Sequence, residues 1–127
     1  MKVLFVYPNH KGMNMLPPAI GLLSACLKRD GHTIELFDTT HYNSVKINEV
    51  VDDTDSDKSK SDRLMAKPYK TPHDITLKYT NVFDDFIKLV DEFSPDLLAL
   101  STTEDMFHLG LSLLKALKGR RTLTIAG

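Results

Sequence analysis

Short apolar runs alternate with amphipathic stretches along this chain. Val3–Leu4–Phe5–Val6–Tyr7 is continuously apolar, β-branched and aromatic, the pattern of a strand buried on both faces. Pro8 and the polar Asn9–His10–Lys11–Gly12 end it. Pro17–Pro18 then opens a helix, with Pro18 in the first turn, where a missing N–H costs nothing. Ala19, Ile20, Leu22, Leu23, Ala25, Cys26 and Leu27 predict a wide apolar face on that helix, with Cys26 as inert packing. Lys28 and Arg29 meet the negative end of the helix dipole, and Gly31 is suited to a left-handed C-terminal cap. Thr33–Phe37 predicts a second strand ending at Asp38. Strand, helix and strand in this order form a βαβ unit with parallel strands.

The rhythm then breaks. From Asp52 to Asp62 there are five Asp, three Ser, two Lys and one Thr, with no apolar residue, so the stretch has nothing to bury against its ordering entropy. Roughly Thr40 to Pro72 reads as an insertion, with room for a short helix around Val45–Val51. Helical spacing returns with Val82, Phe83, Phe86, Ile87, Val90 and Phe93, opposite Asp84, Asp85, Lys88 and Asp91. Ser94–Pro95 ends that helix. Leu97–Leu100 predicts a third buried strand, and Ser101–Asp105 supplies caps for a third helix with apolar positions Phe107, Leu111, Leu114 and Leu117. Gly119 closes it, and Thr122–Ala126 predicts a fourth strand.

This order predicts an α/β domain over residues 1–127: an open parallel Rossmann-like, flavodoxin-like sheet of about four strands, order 2-1-3-4, with helices on both faces. The fourth strand lies at an edge with no helix after it, which predicts a truncated domain continuing past Gly127. Leu123 and Ile125 share one side of that strand, so self-association through it or the neighbouring helix face is expected.

Composition narrows the classes. Sixteen basic against seventeen acidic residues give a net charge of −1, without the basic excess of a non-specific nucleic-acid binder. The single cysteine, Cys26, excludes an internal disulfide framework and a multi-cysteine metal site held by this chain alone. No stretch approaches the roughly twenty apolar residues of a membrane helix, and the apolar run after Met1–Lys2 is too short for a signal peptide. A soluble cytoplasmic protein is the expectation.

In such sheets a ligand sits beyond the carboxyl ends of the strands where the winding reverses, here between the first and third strands. The loops concerned are Pro8–Pro17 and Ser101–Asp105, flanked by Gly127. Neither Gly-x-Gly-x-x-Gly nor the Walker pattern occurs. His10 suits a general base or metal ligand, and equally a solvated loop. Asp38 suits a ribose hydroxyl or a turn. Ser101 and Thr103 suit ligand hydrogen bonds or helix caps, Glu104 and Asp105 the first-turn dipole. Met13 and Met15 suit an apolar cavity lining or filler. No nucleophile, base and orienter converge, so no catalytic residue is expected.

Val3–Pro8, then Pro18–Ala25, then Asp30-Gly31-His32-Thr33-Ile34-Glu35-Leu36-Phe37-Asp38, resemble the N-terminal cobalamin-binding domain of radical SAM proteins. Ser94-Pro95-Asp96-Leu97-Leu98-Ala99-Leu100-Ser101 and the ending Thr124-Ile125-Ala126-Gly127 are similar to that family's later strands. The resemblance spans nearly the whole chain outside the insertion, and its specificity lies in the order and spacing of these blocks. It implies a cobalamin-binding module, itself non-catalytic. A radical SAM domain would follow in the same polypeptide, with S-adenosylmethionine and a 4Fe-4S cluster held beyond Gly127. The cofactor contacts expected are Asn9, His10, Met15, Ser101, Thr102, Thr103 and Gly127, with no metal ligand. The Asp-x-His-x-x-Gly loop of methionine-synthase-like domains is absent: with His10 in the histidine slot, Pro8 takes the Asp slot and Met13 the Gly slot. That implies cobalamin bound without a protein lower ligand. Ser101 matches the serine of the Ser-x-Leu element while Thr103 replaces its leucine, and Gly127 matches the first glycine of the Gly-Gly element.

Two alternatives stay open. A glycosyltransferase half-domain also has a Gly–His strand opening like Gly31–His32, although Gly12 alone is a poor match to its glycine-rich first loop. A domain that keeps the fold without the cofactor is the other. A response-regulator receiver is disfavoured, because Tyr7–Pro8 stands where an acidic pair is needed.

Overall fold

The computed structural model describes residues 1–10, 16–43 and 76–127. The strands are β1 (Lys2–Tyr7), β2 (Thr33–Asp38), β3 (Leu97–Leu100) and β4 (Leu123–Ala126). The helices are α1 (Pro18–Arg29), α2 (Val82–Phe93) and α3 (Phe107–Ala116), the last preceded by a 3-10 turn at Glu104–Met106. All pairings are parallel in one four-stranded sheet of order β2-β1-β3-β4, the α/β arrangement that the sequence predicts.

β1 is central, and every residue from Val3 to Tyr7 is buried. Its side chains alternate between two cores. Leu4 and Val6 join Phe37, Leu98 and Leu100 beneath α2 and α3, while Val3, Phe5 and Tyr7 join Ile20 of α1 on the other face. Fully burying one such aliphatic side chain is worth about 1.5–3 kcal/mol. Lys2 anchors the amino end: its N–H donates to Asp96 Oδ2 at 2.7 Å, and its C=O accepts from Asp96 N–H at 2.9 Å.

Helix ends follow local chemistry. Beyond Asp30 at the C-cap of α1, Gly31 takes φ 83°. Its N–H reaches the Lys28 carbonyl at 3.1 Å, and the His32 N–H reaches that of Leu27 at 3.0 Å, which is the Schellman closure. Asn81 caps α2 by accepting from the N–H groups of Phe83 and Asp84. Ser94 ends α2 with φ 50°.

Two expectations need correction. The wide apolar face of α1 is not buried as a whole: Ile20 alone is buried, and Leu22 and Leu23 face water. Ile20 and Leu27 of α1 pack with β1 and β2; on that side of the sheet Leu97 and Ala99 of β3 are half-buried, while Leu123 and Ile125 of β4 are exposed. In the third helix the buried set is Met106, Gly110, Leu113 and Leu117, not one centred on Phe107 and Leu111. A Cβ built at Gly110 would lie 3.0 Å from Leu100 Cδ1 and 3.3 Å from Pro8 Cγ. The bare glycine lets α3 approach the strand ends closely, and that approach turns Phe107 outward.

Of the insertion, the segment around Val45–Val51 and the polar stretch Asp52–Asp62 lie outside the described residues. Its base is described. Tyr42 and Lys78 form a parallel bridge, with Asn43 N–H donating to the Lys78 C=O and Lys78 N–H to the His41 C=O, both at 2.8 Å. The Lys78 ammonium stands 4.9 Å from the Tyr42 ring centroid, a cation–π contact.

Candidate functional site at the strand ends

Parallel pairing brings the carboxyl ends of β1, β3 and β4 side by side. Ser101 N–H donates to the Val6 carbonyl at 3.0 Å, tying the end of β3 to β1. Gly127 N–H donates to the Leu100 carbonyl at 3.0 Å, and Thr102 N–H donates to the Gly127 carbonyl at 3.1 Å. Three of the expected cofactor contacts, Ser101, Thr102 and Gly127, are thereby held in one laced platform.

Beside it lies an open hollow of about 360 Å³, lined by Thr102, Thr103, Glu104, Phe107, His108, Ala126 and Gly127. Its wall is mostly apolar, with the exposed Phe107 ring and the His108 imidazole as its aromatic side. Thr103 stands just before the 3-10 turn and accepts from Met106 N–H at 3.1 Å through its carbonyl. Glu104 and Asp105 occupy the first turn there.

Asn9 goes elsewhere. It is 1% exposed; its N–H and C=O both bond the Thr39 hydroxyl, and its side-chain amide donates to Thr40 Oγ1 at 3.0 Å. Asn9 thus joins the end of β1 to the turn after β2. His10, the next residue, is half-buried. Met15, like Met13, lies outside the described residues. Asp38 forms a turn, its Oδ1 accepting from Thr40 N–H at 2.8 Å and from the Thr40 hydroxyl, an Asx-turn pattern. Burial first, then the negative charge of Asp38, raises the pKa of Tyr7 above the ordinary phenol value.

Phe107 and His108 escaped the sequence reading. A helical period assigns Phe107 to the buried face; the close approach at Gly110 rotates it into the hollow.

A second hollow of similar size runs between β2, the outer strand of the sheet, and α2, lined by Glu35, Asp38, Tyr42, Lys78 and Asp85 among others. Two of its carboxylates already have protein partners: Asp38 holds Thr40, and Asp85 accepts from the hydroxyls of Tyr42 and Thr80. Its polar groups hold the base of the insertion.

Among the described residues no three His, Cys, Asp or Glu side chains converge as a metal site. No described helix is long and apolar enough to cross a membrane. Comparison with known proteins finds no matching family model, no matching curated protein and no matching solved structure.

Proposed function

We propose that this domain is a cofactor-binding module that holds cobalamin across the carboxyl ends of β1, β3 and β4 and serves a radical SAM enzyme without supplying catalytic groups itself. The observation that carries the reading is the platform of Ser101, Thr102 and Gly127 beside the mostly apolar hollow, at the side of the sheet where ligands of parallel α/β domains bind. The residues suit the group. Cobalamin carries amides around its corrin rim and a planar aromatic base on its nucleotide tail. The hydroxyls of Ser101, Thr102 and Thr103 match the amides, and the wall formed by Phe107, Ala126 and the Gly127 backbone matches the base. When bound, cobalamin supplies organometallic or redox chemistry at cobalt; this chain orients it and shields one of its sides.

His10 is not the lower ligand in this reading, since the surrounding Asp-x-His-x-x-Gly pattern is lacking. The S-adenosylmethionine and the 4Fe-4S cluster belong to a downstream radical SAM domain, because Cys26 is the chain's one thiol.

Hydroxocobalamin mixed with the protein should co-elute on gel filtration with a spectrum lacking histidine-on features. His10→Ala should leave that spectrum unchanged, and Gly127→Val should weaken retention by crowding the platform. No retained absorbance at micromolar protein and cofactor would overturn the reading. A spectrum altered by His10→Ala would overturn the ligand assignment alone.

A further inference from the structure

We draw no further inference here: the strongest candidate, the hollow between β2 and α2 lined by Glu35, Asp38, Tyr42, Lys78 and Asp85, carries nothing, because its Asp38 and Asp85 carboxylates already bond Thr40, Tyr42 and Thr80 and nothing in the structure shows what covers the rest.

Discussion

The Thr39 hydroxyl bonds both backbone groups of Asn9, accepting from its N–H at 2.8 Å and donating to its C=O at 2.7 Å, with Thr39 fully buried. One side chain thus does for the end of β1 what a neighbouring strand would do, just where β2 turns away. Asn9 precedes His10, so this contact also sets where the candidate site begins.

Thr39→Val keeps the shape and removes both bonds. Leaving buried backbone groups poorly satisfied costs about 1–3 kcal/mol, so urea unfolding should show a loss of that order, with Thr39→Ser closer to the parent. Cobalamin retention should fall in the valine variant even where the fold persists. Equal stability of Val and Ser variants would show that water replaces the hydroxyl.

The base of the insertion should depend on pH at both extremes. The Thr80 hydroxyl holds the Asp85 carboxyl below its ordinary 3.8; burial, second in size, opposes it, and the Tyr42 hydroxyl and the Lys78 and Lys88 charges add to the lowering. A carboxyl lowered on folding adds stability above its unfolded pKa and loses it as pH falls through the folded value. Burial, then the hydrogen bond and charge of Asp85, raise the Tyr42 phenol above 10. Its contribution is complete below pH 10 and is lost as pH rises through the folded value. Amide exchange at Asn43 and Lys78, corrected for intrinsic rates, should therefore be slowest between about pH 4 and 10. Asp85→Ala should abolish the acid limb of that profile.

Because Asn43 and Lys78 are hydrogen-bonded to each other, the chain leaves and re-enters the domain at nearly one point. Replacing residues 44–75 with about six Gly and Ser residues, which span about 13 Å, should leave the sheet intact. The shortened protein should keep its far-UV dichroism and its cooperative melting. Collapse of either would show that the replaced residues contribute to the core.

Two helix glycines should respond with opposite signs. At Gly21 nothing lies within 4 Å of a built Cβ, so Gly21→Ala should stabilise by about 0.5–1 kcal/mol through helix propensity. At Gly110 the Leu100 and Pro8 side chains stand too close, and Gly110→Val should destabilise by about 1–3 kcal/mol through overpacking. Chemical denaturation of the two variants beside the parent measures both.

Much of the architecture is legible in the sequence because it depends on neighbours along the chain. The unbroken Val3–Tyr7 run, the spacing from Val82 to Phe93, Pro18 at a helix start and Gly31 and Gly119 after helix ends each act within a few residues. Crossover handedness then restricts how parallel strands can be ordered. The same logic places Ser101, Thr102 and Gly127 at one end of the sheet. Other features were decided only by tertiary contacts between distant segments. Thr39 takes up both backbone groups of Asn9, and Tyr42 meets Lys78 and Asp85. α3 turns Gly110 rather than Phe107 toward Leu100, since the closest packing of a helix on a sheet goes through its smallest residue. Periodicity shows that α1 has an apolar face; how much of that face is covered depends on where β3 and β4 lie beside it, which no local pattern encodes.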